Sequence, residues 1–190
     1  MASASMIDET IADAEERMGK AVEALRRELA TVRTGRANPG LVEHIRVDYY
    51  GTPTPLQQLA SVAVPEARLL TIQPWDKGSL SAIEKAIQKS DLGLTPNNDG
   101  SIIRLVIPQL TEDRRRELVR VVHKKLEEGR VAVRNVRRDA HEMLRDLLRE
   151  KEVSEDEERR AQEQLQKVTD RFIAEADNVG EEKEQELLEV

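Results

Sequence analysis

Cysteine is absent, and Trp, Tyr and Phe together make up only 2% of the 190 residues. Without thiols the chain can form neither a disulfide nor a thiolate metal site. Enzyme cores usually carry more aromatic rings, whereas a composition rich in Ala, Glu, Lys, Leu and Arg is typical of long helices. No apolar run approaches the roughly 20 residues of a membrane span, and the start of the chain lacks the basic and apolar parts of a signal peptide. We therefore expect a cytoplasmic protein with no membrane partner.

Charge is distributed unevenly along the chain, although the formal net charge is −7. Residues 114–138 carry ten Lys and Arg against three acidic residues, a net of +7. Residues 150–190 carry fifteen acidic residues against six basic ones, a net of −9. Because nucleic acid responds to the local field rather than to the total charge, the acidic average does not exclude a nucleic-acid partner.

Residues 6–33 and 111–150 each predict a long amphipathic helix, because apolar residues recur at every third or fourth position. The first helix should end near Gly35, and a capping box of Ser154 with Glu157 begins a third helix. The three apolar stripes are Ile11, Ala14, Met18, Val22, Leu25, Leu29 and Val32; Leu118, Val122, Leu126, Val133, Val136, Ala140, Met143 and Leu147; and Ala161, Leu165, Val168, Phe172, Ala176 and Val179.

The segment from residue 41 to residue 108 has no helical period and is rich in β-branched clusters and turn signals. It predicts a small domain of short strands with one short helix. Trp75 and the Tyr49–Tyr50 pair are expected in the core of this domain, with a ligand cage as the alternative. The predicted strands are 45–50, 61–64, 69–72 and 102–107, the helix is 79–89, and the turns are 51–55 and 97–100.

These patterns predict an α+β protein in two parts. One amphipathic helix cannot bury its stripe alone, whereas three helices can bury their stripes against one another at shallow crossing angles. We therefore assign residues 1–34 and 111–190 to a long three-helix bundle, and residues 35–110 to an inserted β/α/β domain. Two cores joined by two connections predict a hinge. The hinge residues are Gly35, Pro108, Gln109 and Leu110.

Five arginines of the second helix form the candidate binding site, called the arginine row below. At 100° per residue they lie on one side of the helix, about 130° from the centre of the apolar stripe. Guanidinium groups bind phosphate oxygens in a bidentate manner and stack on bases. The alternative is a solvated face that pairs with acidic residues of the third helix. The arginine row consists of Arg130, Arg134, Arg137, Arg138 and Arg145.

Catalytic and metal-binding patterns are missing from the sequence. His44, His123 and His141 are far apart and have no Cys partners, so we expect no metal site. The glycines fit no phosphate-binding loop, and no Ser lies in a nucleophile elbow. We expect neither enzyme activity nor a cofactor. An enzyme housed in residues 41–108 and a helical scaffold without an RNA partner remain the rival interpretations.

Several motifs, all in one register, resemble the bacterial ribosome recycling factor family, and the resemblance covers residues 6–190. The motifs are specific in combination rather than singly. Near the start they are Arg33–Pro39, Tyr49–Leu56 and Gln58–Ser61. Further along they are Ser90–Leu94, Leu110–Glu112 with Arg114–Arg115, and Val131–Ala140.

The resemblance implies an L-shaped, hinged monomer that binds the post-termination ribosome. Its partners would be large-subunit rRNA and elongation factor G, whose GTP hydrolysis accompanies separation of the subunits and release of mRNA and tRNA. The small domain would be the arm on which that GTPase acts. Carried over by position, the residues that contact rRNA would be Arg33, Arg134 and Arg137, with Arg130, Arg138 and Arg36 close to that face. From the residues alone, Arg33 and Arg36 fit equally well as cations at a helix C-terminus.

Overall fold

The computed structural model describes residues 2–189, with side chains from residue 5 onward. Contacts within the chain group into two compact units. The first unit is formed by the chain up to Leu29 and by Val119–Glu186. The second is formed by Ala30–Leu118 and the chain from Leu187 onward. The domain boundaries expected at residues 34/35 and 110/111 stay a prediction.

Four α-helices, six strands and three short 3-10 helices form the regular structure of residues 2–189, and the predicted α+β class is confirmed. Three of the helices are long, as the apolar stripes predict. The helices are α1 (Ala2–Ala30), α2 (Leu80–Lys89), α3 (Glu112–Arg149) and α4 (Glu155–Leu188). The strands are β1 (Arg46–Tyr49), β2 (Thr52–Pro55), β3 (Ala60–Glu66), β4 (Leu69–Pro74), β5 (Asn97–Asn98) and β6 (Ile103–Val106).

In the first unit, glycines allow α1, α3 and α4 to approach one another closely. A Cβ atom on Gly180 of α4 would lie 2.7 Å from Cδ2 of Leu126 on α3. A Cβ atom on Gly129 of α3 would lie 3.1 Å from Cδ2 of Leu25 on α1. Both leucines are buried. The distance between neighbouring helices is therefore set by a glycine on one helix that faces a leucine on the next.

The predicted start of the third long helix is confirmed, and one residue of the predicted apolar faces is wrong. α4 begins at the predicted capping box: Glu157 N donates to Ser154 Oγ at 3.1 Å, and Ser154 N donates to Glu157 Oε1 at 3.3 Å. The assignment of Met143 to the apolar stripe is wrong, because its side chain is 56% exposed and Leu144 is buried instead. One step along a helix turns the side chain by about 100°, and Leu144 lies in phase with Leu126.

The second unit contains two antiparallel sheets over one apolar core. β1 pairs with β2, and the other strands are ordered β3–β4–β6–β5. Every second residue of β4 and β6 is buried, as the pleat of a sheet with one solvated face requires. Ile83 and Ile87, one turn apart on α2, belong to the same core as these strand residues.

The two predicted turns of the small domain are partly strand, which corrects the sequence analysis. In the segment 51–55, only Gly51 lies in the turn, together with Tyr50, and their φ angles of 85° and 49° are those of a two-residue hairpin turn. Thr52–Pro55 forms β2, where prolines are tolerated because β2 pairs on one side only. In the segment 97–100, the two asparagines pair with β6.

The expectation that the aromatic rings lie in the core is wrong for Trp75 and Tyr50, which are 67% and 80% exposed. Tyr50 occupies the hairpin turn, and its ring packs edge-on against the ring of Tyr49, with the two ring centroids 4.6 Å apart. The hydroxyl groups of Tyr49 and Tyr50 both donate to Oδ2 of Asp76, at 3.3 and 3.2 Å. Of the two tyrosines, only Tyr49 packs partly against the core.

We expect Gly180→Ala to destabilise the protein, because the added methyl group would overlap Leu126. Overpacking of this kind costs about 1–3 kcal/mol, whereas Ala gains only about 1 kcal/mol over Gly within a helix. Gly19→Ala is the matched control, since its Cβ would lie 3.7 Å from Phe172, an ordinary contact. Urea unfolding followed by circular dichroism should give a lower midpoint for Gly180→Ala only. Equal midpoints for the two variants would contradict the close helix approach.

Asp99 organises the turn between β5 and β6. Its Oδ1 accepts hydrogen bonds from the backbone N–H groups of Ser101 and Ile102, at 3.0 and 2.9 Å. Its Oδ2 accepts one from Nη1 of Arg104 at 2.9 Å. These bonds, the one from Ile102 first, lower the pKa of Asp99 from 3.8 to about 2.

The stability that Asp99 contributes should be fully present above about pH 4 and should be lost as the pH falls toward 2. The sign follows because a lowered pKa means that the folded state favours the charged carboxylate. A carbon-13 NMR titration of the carboxyl group should give a midpoint near 2 for the wild type and a higher one for Arg104→Gln. A wild-type midpoint at the ordinary value of 3.8 would show that the turn hydrogen bonds are not formed in solution.

Candidate nucleic-acid interface

The arginine row lies on α3 within the first unit. Arg134, Arg138 and Arg145 are exposed, and Arg130 and Arg137 are half-buried. The rise of 1.5 Å per residue spreads the row over about 22 Å along the helix axis. Because the opposite side of α3 is buried through Val133, Val136 and the rest of its apolar stripe, the row is held on the outside of the unit.

Arg130 serves as an ion-pair clamp between α3 and α4. Its Nε and Nη2 lie 2.7 and 2.6 Å from Oδ1 of Asp177, and its Nη1 lies 3.2 Å from Oε2 of Glu127. The hydrogen bond to Asp177 raises the pKa of the Arg130 guanidinium, against the effect of burial. This geometry favours a structural role for Arg130, and its expected contact with rRNA stays a prediction.

The other members of the row are less engaged. Nη1 of Arg134 lies 3.3 Å from Oε1 of Glu127, and both side chains are about half exposed. Within residues 2–189 no ion pair is found for Arg137, Arg138 or Arg145. Pairing with acidic residues of the third helix therefore accounts for Arg130 but leaves three guanidinium groups of the row open to an external anion.

Arg33 and Arg36 follow α1 and belong to the second unit. Nη1 of Arg36 lies 3.1 Å from Oε2 of Glu189. Nη2 of Arg33 lies beside the backbone of Gly93, 3.5 Å from where a Cβ atom would be. The expected helix end near Gly35 is wrong, because α1 ends at Ala30. Both arginines thus lie beyond the last turn, where the field of a helix dipole fades.

The predicted hinge residues lie in segments without regular secondary structure. Pro108 and Gln109 are exposed, and residues 107–111 form neither helix nor strand. Gly35 has a φ of 78°, which favours glycine. A Cβ atom on Gly35 would lie 3.3 Å from Cγ of Leu110, so these two segments pack against each other within the second unit. Hinge motion at these residues stays a prediction.

Glu127 is the residue of this surface that sequence reasoning missed. It contacts two members of the arginine row, Arg130 and Arg134. The available signal was its spacing, since positions three and seven residues further along a helix lie on the same side. A count of charges over residues 114–138 includes Glu127 but carries no information on which arginines it faces.

Histidines on α3 have structural partners on α4. His123 Nε2 lies 3.1 Å from Oε2 of Glu184, and His141 Nδ1 lies 2.9 Å from Oε1 of Gln162. Among the described residues, no group of three or more His, Asp and Glu side chains is placed to hold a metal ion. No helix within residues 2–189 combines the length and the apolar character needed to cross a membrane.

Comparison with known proteins places this chain among close relatives. Residues 25–188 match the family model described as ribosome recycling factor. The ribosome-recycling factor of Heliobacterium modesticaldum is 60% identical over 185 residues, covering 97% of this chain and 100% of that protein. The ribosome-recycling factor of Thermomicrobium roseum is 57% identical with the same coverage.

Solved structures agree with the sequence relatives. A solution structure of a ribosome recycling factor matches with a TM-score of 0.79 and 48% identity, covering 97% of this chain and 98% of that one. A second match has a TM-score of 0.70 and 51% identity, covering 96% and 99%. It is a model of the T. thermophilus ribosome recycling factor, with E. coli elongation factor G, bound to the E. coli post-termination complex. Fold and relatives together define a translation factor. The chain belongs to the ribosome recycling factor family.

We expect some residues of the arginine row to stabilise the fold and others to contribute little to its stability. We expect Arg130→Ala to cost about 1 kcal/mol, because it removes both guanidinium contacts to Oδ1 of Asp177. Arg134→Ala should change stability by less than about 0.5 kcal/mol, since an exposed ion pair contributes little. Thermal unfolding by circular dichroism measures both. A larger loss for Arg134→Ala than for Arg130→Ala would reverse the assignment.

Proposed function

We propose that this protein acts in ribosome recycling. It binds the post-termination ribosome through rRNA of the large subunit and, with elongation factor G and GTP, promotes dissociation into subunits and release of mRNA and tRNA. The observation that carries the proposal is the set of exposed guanidinium groups on α3, in a chain that belongs to this family.

Phosphate contact is the mode of binding that the arginine row supports. Guanidinium groups match phosphate oxygens in geometry and charge, and each contact releases counterions from the RNA. With aromatic residues at 2% of the chain, stacking of several bases on a sheet is not available. Recognition should therefore depend on the RNA backbone and its shape, and binding should weaken steeply with salt.

The partner assignment draws on the relatives. One relative is described as bound to the post-termination complex with elongation factor G, which supports the same partners for this chain. In this proposal Arg134 and Arg137 contact rRNA, with Arg33, Arg36 and Arg138 as further contacts. The small domain is the part on which the GTPase acts, and Gly35 with Pro108–Leu110 supplies the flexible connections.

In this proposal GTP hydrolysis is carried out by the partner, elongation factor G. This chain contributes binding and shape rather than a catalytic group or a cofactor. We propose that it acts as a monomer in the cytoplasm, where its ribosomal partner is found.

We expect the protein to pellet with ribosomes and with isolated large subunits, and to do so less as salt rises. The double variant Arg134→Ala/Arg137→Ala should lose most of this binding, because it removes two phosphate contacts from the row. Co-sedimentation over a salt series measures the effect, and circular dichroism confirms that the variant is folded. Light scattering with elongation factor G and GTP then reports whether bound protein separates the subunits.

Two results would count against the proposal. If the folded protein fails to bind at any salt concentration, a helical scaffold becomes the better interpretation. If it binds but subunits do not separate in the presence of elongation factor G and GTP, the chain is an RNA-binding protein without the recycling role.

A further inference from the structure

One acidic residue of α3, Glu127, lies about one turn before the first arginine of the row, Arg130. At 100° per residue, Arg134, Arg138 and Arg145 fall within a sector of about 40° on α3, and Glu127 falls in its middle. Between residues 120 and 145 α3 carries three further acidic residues, Glu128, Asp139 and Glu142. All three lie at least about 40° outside this sector. Of the acidic residues of α3 in this stretch, Glu127 alone shares this sector with the guanidinium groups, and Asp177 of α4 contacts the row at Arg130.

The Glu127 carboxylate is held in place from both sides. Its Oε2 lies 3.2 Å from Nη1 of Arg130, and its Oε1 lies 3.3 Å from Nη1 of Arg134. Arg130 is itself fixed to Asp177 of α4 by two contacts of 2.7 and 2.6 Å. The anchored clamp thus presents one oxygen of Glu127 to Arg134, so that the charge of Arg134 faces a carboxylate already fixed on the protein.

A phosphate that binds Arg134 must compete with this carboxylate. An exposed ion pair is worth about 0–1 kcal/mol, so it can be exchanged, but the exchange has a cost. The carboxylate also repels a phosphate bound nearby, at separations shorter than the Debye length of about 8 Å. Both effects act in the same direction and lower the affinity of the row for RNA.

We infer that Glu127 weakens the binding of RNA phosphate to the arginine row by occupying the guanidinium group of Arg134. The inference rests on the proposed function, because it assigns Arg134 to contact RNA. Glu127 thereby sets the affinity of the protein for RNA. Binding is weaker than the arginines alone would give, and weaker binding favours release of the protein after each round.

Glu127→Gln tests this directly, because it removes the charge and keeps the size of the side chain, with one carbonyl oxygen still able to accept a hydrogen bond. Glu128→Gln is the matched control: it makes the same change of charge one residue further on, about 100° away on the helix. Binding to purified bacterial large ribosomal subunits is measured by co-sedimentation over a salt series. We expect Glu127→Gln to bind about three- to tenfold more tightly, with a steeper dependence on salt, and Glu128→Gln to stay within about twofold of the wild type.

The double variant Glu127→Gln/Arg134→Ala shows whether the effect passes through Arg134. If it does, the gain from Glu127→Gln should largely disappear when Arg134 is absent, which is the coupling that a double-mutant cycle detects. A gain of undiminished size in that background would overturn the inference, because Glu127 would then act only as a general negative charge. Weaker binding by Glu127→Gln would overturn it as well and would show that Glu127 positions Arg134 for RNA.

Failure of the inference and failure of the proposed function give different results. If neither wild type nor Arg134→Ala binds, the proposed function and the inference both fail. If the two bind equally well, Arg134 is not an RNA contact and only the inference fails. If Arg134→Ala binds more weakly than the wild type while Glu127→Gln matches Glu128→Gln, only the role of Glu127 is wrong. Thermal unfolding of each variant by circular dichroism ensures that binding is compared between folded proteins.

Discussion

The close approach of three long helices is the constraint on which the first unit depends. Its one aromatic ring, Phe172, cannot fill the space between widely separated helices, so aliphatic side chains must pack at short range. Gly180 opposite Leu126, and Gly129 opposite Leu25, make that range possible. Because each helix buries one stripe in this way, the other side of α3 is fixed toward solvent. The charged residues there acquire defined positions without any packing of their own.

Charged residues on these helices fall into two groups, those that pair with a neighbouring helix and those for which no ion pair is found among the described residues. Arg130 with Asp177, and Arg17 with Asp139 at 3.0 Å, join neighbouring helices. Pairs at the surface contribute little free energy each, so their main effect is to hold the long side chains in one orientation. Arg137 and Arg138, for which no ion pair is found in the described part of the chain, retain their full capacity for an external anion. Within a few turns of α3, an arginine that joins two helices is therefore followed by arginines that are open to an external anion.

Periodicity predicted the helices well because their stripes are long and strictly spaced. The capping box at Ser154 was also predictable, since its two hydrogen bonds involve residues three apart. The hairpin was not, because the turn at Tyr50 requires a positive φ from a residue that seldom adopts one. The partner of Arg130 was equally hidden: Asp177 is distant in sequence and is recognised only when α3 and α4 are packed. Local signals predict elements, whereas pairings depend on the assembled fold.

The net negative charge of the chain says little about its candidate site, because the effect of a charge on the arginine row depends on its distance from the row. Much of the acidic excess is on α4, whose first turn holds four acidic residues, 155–158, that the helix dipole favours. Charges further from the arginine row than the Debye length of about 8 Å are screened from it. Glu127 and, on α4, Asp177 are in contact with the row and are not screened from it. If the row binds phosphate as proposed, a carboxylate at 3.3 Å from Arg134 therefore acts on that binding more directly than a net charge of −7 spread over the protein.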